Sequence, residues 1–256
     1  VAPNDLVGGM AKLQQAVFAA VDFLEKELRI KNIVFVPFPI MFVPLVGFFS
    51  RNLKPTAAQL VAIKRWFWHC AFTQKYKAGT NTAVLEDLKK MEQLVVDNTV
   101  FDGLTAKVDV DLFKKTWRIN STAAKAAICM LAQKEPRSFL NGALVDLGTA
   151  MSAYNAREFH HIYPKAHLAT QSILFHQSNI IANICLLSSS DNRTISDASP
   201  VIYMPNIPAA QKDQIADGAL IPRDMFDGTK SYTDFVTARA ALLAATAESL
   251  IHKGSP

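Results

Sequence analysis

Apolar residues recur at helical spacing through most of the first half of this chain. Over 10–28, Leu13, Val17, Ala20, Val21, Leu24 and Leu28 fall on one stripe with no Pro in the run, which predicts an amphipathic helix. A second helix is predicted over 57–76, with Leu60, Ile63, Phe67, Cys70 and Ala71 on its inner stripe and Pro55 placed to open it. Further helices are predicted over 82–96, 110–117 and 122–134, the last ended by Glu135-Pro136 because the residue before proline avoids the helical region. The aromatic group Trp66, Phe67 and Trp68 reads as core packing on the second of these helices rather than as a base-stacking surface.

The texture changes after residue 158. Short apolar runs at 159–163 and 180–187 read as two strands with a long connection, and Ser190-Asp191-Asn192 supplies helix N-cap residue types just beyond the second run. An Ala/Leu-rich helix over 235–252 closes the chain. The fold class expected is therefore mainly α (α+β). It has a helical scaffold over 1–150, a small ββα unit over 151–205, and a loop with a closing helix over 206–256 that packs back on the scaffold.

Half of the 256 residues are apolar and 19% are charged, which argues for a folded globular chain and against disorder. The uncharged run 33–49 is shorter than the roughly 20 residues a membrane helix needs and is broken by Pro37, Pro39 and Pro44, so no membrane partner is expected. Three widely spaced cysteines, with no Cys-x-x-Cys pair, read as reduced core thiols, a cytoplasmic signature, and exclude a cysteine zinc site. A first residue of Val rather than Met suggests part of a longer chain. The net charge of +5 favours a polyanionic partner only weakly, because the basic residues are scattered.

The chemistry concentrates in one stretch. Four of the six histidines lie between residues 160 and 176, and two are adjacent in His160-His161-Ile162-Tyr163-Pro164-Lys165. Adjacent strand residues point to opposite faces, so both imidazoles can serve one site only if the strand ends or bends there. Asn183 opens an apolar run 22 residues after His161, and Asn192 follows nine residues later.

These three ordered elements, HHIYPK, NICLL and SDNR, resemble the HNH, or ββα-metal, nuclease signature. The resemblance implies a divalent-metal-dependent endonuclease acting on DNA, using Mg²⁺ or Mn²⁺ or another transition metal. It places His160 and Asn192 at metal-ligand positions, His161 at the general base, and Asn183 at the central Asn that holds the base's loop. Lys165 and Arg193 flank the centre as candidate phosphate contacts. His160 stands where the family often has Asp, and Asn192 where it often has His, so no carboxylate joins the ligand set unless Glu158 contributes. A neutral nitrogen-and-amide pair favours Mn²⁺ over Mg²⁺. Asn179 is a nearby rival for Asn183, and His167 and His176 have no family counterpart.

Wider segments are similar to the carboxy-terminal half of GmrSD-type restriction and phage-defence proteins. They are 64–68 with Gln74-Lys75-Tyr76, 136–142, 199–203, and the closing helix with Arg239. That resemblance implies a nucleotide-binding domain amino-terminal to the part seen here, whose Asp-Gly-Gln-Gln-Arg signature this chain lacks. The readings set against a DNA nuclease are a catalytically weak, nuclease-derived DNA-binding or regulatory module and an RNA-directed nuclease. Self-association into a homo-oligomer stays open.

Overall fold

A computed structural model describes residues 3–152 and 159–255. The chain is mainly helical. The scaffold helices are α1 (Pro3–Lys26), α2 (Phe42–Phe49), α3 (Ala57–Phe72), α4 (Thr80–Leu94) and α5 (Thr122–Gln133), followed by the short α6 (Leu147–Ala150). Then come β1 (Phe159–His161), α7 (Lys165–Thr170), α8 (Phe175–Ser178), β2 (Ile184–Leu186) and α9 (Ser189–Ile195). The short α10 (Pro200–Tyr203), α11 (Lys212–Ala219) and the long α12 (Tyr232–Lys253) complete the chain.

Local chemistry sets the ends of these helices. Thr56 and Gln59 form a capping box at the start of α3, and Ser121 caps α5. α3 stops at Phe72, short of the predicted end, because Gln74 takes a left-handed conformation (φ 57°). α12 packs along α3, and α2 packs against both α1 and α4. The main hydrophobic core fills the space between them. Trp66, Phe67 and Trp68 are all buried there, with Phe67 and Trp68 in edge-to-face contact. All three cysteines are buried and free.

The helix predicted over 110–117 is not formed. Only a single 3-10 turn, Val110–Leu112, survives. The backbone beyond it is spent on a different partner: the amides of Ile181 and Ala182 donate to the carbonyls of Lys115 and Phe113, and Trp117 N–H donates to the Asn179 carbonyl. This extended pairing carries the scaffold to the entrance of β2. Tertiary hydrogen bonds here override a helical pattern that is weak over so short a run.

β1 and β2 form an antiparallel ribbon in the register Phe159 to Leu186, His160 to Cys185, and His161 to Ile184. The ribbon lies between two cores. Phe159, Ile184 and Leu186 join the main core, whereas Cys185, Leu187 and Ile162 join a second one with Phe139, Ile195, Tyr203, Phe226 and Phe235. The long connection between the strands holds α7 and α8.

Candidate functional site

The turn after β1 is closed by one buried amide. Asn183 Oδ1 accepts from the backbone N–H of Tyr163 at 2.9 Å, and its Nδ2 donates to the carbonyls of Tyr163 and Ser178, each at 2.9 Å. The Ile162 N–H also donates to the Asn183 carbonyl. Every polar atom of the side chain is used, at a position with no solvent exposure, so Asn183 clamps the His160–Pro164 loop onto the start of β2. Tyr203 reinforces the clamp through its hydroxyl, which donates to the Ile162 carbonyl at 2.7 Å.

α9 is placed with equal economy. Its N-cap is Ser188, not the Ser190–Asn192 triplet, because the helix is already under way at Ser189. Asp191 is instead buried within it and accepts from Ser138 Oγ at 2.8 Å and from the Phe139 amide at 3.2 Å. Burial pushes that carboxyl above its ordinary range, against the lowering effect of those bonds. Asn192, one residue on, is thereby turned toward His160, with which it hydrogen-bonds through its side chain.

His160 shares a face of the ribbon with its partner Cys185, and His161 projects from the opposite face. Both nevertheless line the same cleft of about 440 Å³, because β1 ends at His161 and the cleft wraps around that end. Asn192, Lys165 and Pro164 also line it. The structure thus gathers His160, His161, Asn192 and Lys165 around one opening and sets Asn183 behind them. Lys165 is exposed, with its ammonium 5.3 Å from the centre of the Phe175 ring. Arg193 is exposed on α9 and does not line the cleft, since a one-residue step on a helix turns the side chain well away from Asn192. His167 and His176 lie in other depressions.

Trp117, Phe159, Ala166, Ser196 and Asp197 also line the cleft without a sequence signal as site residues, as does Asn179, which the sequence offers only as a rival to Asn183. Asn179 Oδ1 lies 2.9 Å from His161 Nε2. Its only sequence signal was its proximity to Asn183. Trp117 was read as part of a helix, and Asp197 carried no signal.

Both imidazoles are held below their usual range. Burial is the main cause at His160, opposed by the Asn192 bond. At His161 burial pulls the value down to about 4, the Asn179 bond opposes it, and Lys165 and His160 lower it further. Both rings are therefore neutral near pH 7. Protonation of the unfolded chain near 6.5 favours unfolding, so this stabilisation is complete above that pH and is lost as pH falls toward about 4. Allowing for the rim exposure of His161, about 2 kcal/mol is expected to disappear across the window. Urea titrations in metal-free buffer check this, and a His161→Gln variant should flatten much of the slope. An unchanged midpoint over that range would refute the assignment.

The donor set suits a divalent cation of the imidazole-binding kind. His160 Nε2 is buried with no hydrogen-bond partner, an orphaned nitrogen that a metal could satisfy. Asn192 is hydrogen-bonded to the same ring, so its amide oxygen would have to leave that bond to join a cation at Nε2. Among the described residues no cluster of three or more His, Cys, Asp or Glu side chains is arranged for a metal, so such a site would remain open to water and phosphate oxygens. Glu158, considered as an added carboxylate, lies outside the described residues.

No family model and no solved structure matches the chain. The chain is similar to the uncharacterized protein MJ0686 of Methanocaldococcus jannaschii, at 21% identity over 217 residues. That alignment covers 77% of this chain and 36% of the archaeal protein, so the chain spans about a third of the length of the curated relative it matches. Among the described residues no helix is long and apolar enough to cross a membrane.

Proposed function

We propose that this chain carries a divalent-metal-dependent HNH-type endonuclease centre that hydrolyses DNA phosphodiester bonds. One observation carries the reading: β1, its turn, β2 and α9 converge so that His160, His161 and Asn192 line one cleft while Asn183 clamps the intervening loop. Two adjacent histidines at a strand end, joined by an asparagine from a following helix, are more than a packed core requires.

The His161 ring, neutral at pH 7, accepts a proton from the attacking water, though burial holds it at about 4 and makes it a weaker base than a free imidazole. His160 and Asn192 hold the cation, which when bound supplies Lewis-acid stabilisation of charge on the phosphate and on the leaving oxygen. Lys165 at the cleft wall attracts the backbone phosphate. Pro164 and the Asn183 clamp keep the base-bearing turn from relaxing. The wider resemblance to restriction and phage-defence proteins makes foreign DNA the natural substrate and a nucleotide-binding domain of the same longer chain its natural partner.

The test is nicking of supercoiled plasmid with and without added divalent metal. Relaxation that requires metal and stops with chelator is the expected result, and no cleavage of DNA or of matched RNA in any divalent metal would overturn the reading. Cleavage is expected to be faster in Mn²⁺ than in Mg²⁺, because imidazole suits transition metals and Mg²⁺ prefers oxygen. Equal rates would show that an oxygen ligand dominates the site. With His160 and Asn192 at the family-matched ligand positions, where a carboxylate is frequent, one second reading is favoured, a DNA-binding module with a weak or dead centre; it predicts binding of DNA without cleavage in either metal.

A further inference from the structure

We infer that Asn179 is the positioning residue of this centre: it holds His161 in the tautomer protonated at Nε2 and so leaves Nδ1 as the only basic atom of the ring. The catalytic consequence rests on the nuclease reading above; the geometric half stands on hydrogen bonds alone. A neutral imidazole has one N–H and one lone pair, and the partner of one nitrogen decides which is which. The partner of His161 Nε2 is the Asn179 side chain, at 2.9 Å.

An amide can present either its oxygen or its nitrogen, and its far end decides between them. Asn179 Nδ2 faces the backbone carbonyl of Trp117 at 3.2 Å, an atom that only accepts. Exchanging the two ends would set two oxygens against each other. The oxygen therefore faces His161, and because it cannot donate, Nε2 must carry the proton. Asn179 is itself immobilised, since its carbonyl accepts from Trp117 N–H and its own N–H donates to the Phe175 carbonyl. It is 8% exposed, so water competes poorly for the bond.

The side chain is not needed to shape the turn, because Asn183 already does that with all of its polar atoms. What Asn179 adds is a link from His161 to the scaffold segment that ends at Trp117, paired with 179–182 along its length. The scaffold, not the ββα unit, then dictates which nitrogen of the base is free.

Two measurements on the full chain test this. Long-range ¹H–¹⁵N correlation near neutral pH without metal, with His161 identified by its loss in His161→Gln, should show a protonated Nε2 and a bare Nδ1. Asn179→Leu should mix the tautomers and lower kcat for plasmid nicking roughly 10- to 100-fold with KM little changed. Asn179→Asp keeps the acceptor toward His161 and should keep Nε2 protonated, at a cost in stability because its second oxygen then faces the Trp117 carbonyl. A wild-type ring protonated at Nδ1, or a wild-type pattern kept in Asn179→Leu, would overturn the inference. If Asn179→Leu does not fold, the wild-type and Asn179→Asp spectra decide alone. The predicted tautomer in a protein that cleaves nothing would leave the positioning role standing and bring down the nuclease reading instead.

Discussion

Replacing His161 with alanine is expected to remove plasmid nicking, by about 10²- to 10⁴-fold or to background, while the helical fold persists. The ring sits at the end of β1, where the strand pairing involves its backbone, which alanine retains. The bond lost is the one to Asn179 Oδ1, and Asn179 keeps its other contacts to Trp117 and Phe175. Stability should therefore change by about 1 kcal/mol, the worth of an ordinary hydrogen bond. Far-ultraviolet circular dichroism and a denaturation midpoint distinguish loss of chemistry from loss of fold. Nicking that survives in a well-folded His161→Ala protein would remove this imidazole from the reaction and, with it, the reading of the cleft.

The largest effect on stability is expected at Arg239, far from solvent on α12. This guanidinium is fully buried, and among the described residues it forms no ion pair with a carboxylate. It donates instead to four carbonyls: Ala182 at 2.7 Å, Ile184 at 2.8 Å, Ala219 at 2.9 Å and Leu220 at 3.1 Å. Two of these end α11, where the helix dipole presents partial negative charge, and the other two flank Asn183. Burial pulls the group down to about 10, which leaves it charged at neutral pH. Arg239→Met fits the space but strands four buried carbonyls, so a loss of about 3–5 kcal/mol is expected in urea or guanidinium titration. Arg239→Lys should recover little of it, because an ammonium cannot span the fork. A loss below about 1 kcal/mol in Arg239→Met would mean that water or backbone adjustment satisfies those carbonyls.

The two predictions are linked through Asn183. Arg239 fixes the carbonyls on either side of it, Asn183 fixes the turn that follows His161, and the turn decides where the imidazole lies. Damage at Arg239 should thus reach the cleft without any contact to it.

Much of this protein was legible as a string. The stripe from Leu60 to Ala71 marked the buried face of α3, because periodicity near 3.6 reports a one-sided core, whereas α1 buries Ala16, Ala20, Phe23 and Leu24 and leaves Leu13 and Val21 of its expected stripe exposed. The apolar runs over 159–163 and 180–187 marked the two strands of the ribbon, since each carries a local signal there. Illegible were the features whose partners are remote. The helix expected over 110–117 lost to pairing with 179–182, and Asn179 gained its meaning from that pairing. Ser188 took the cap expected at Ser190–Asn192, freeing Asp191 to reach Ser138.

The helices of the scaffold and the place of the ribbon follow from local patterns, because both depend on neighbours within a few turns of chain. Only the tertiary structure decided that two histidines on opposite faces of β1 meet in one cleft, that Arg193 stays out of it, and that Asn179 enters it. Those outcomes depend on where β1 ends and on which backbone carbonyls remain for distant donors, and both are settled by satisfying every buried polar group at once.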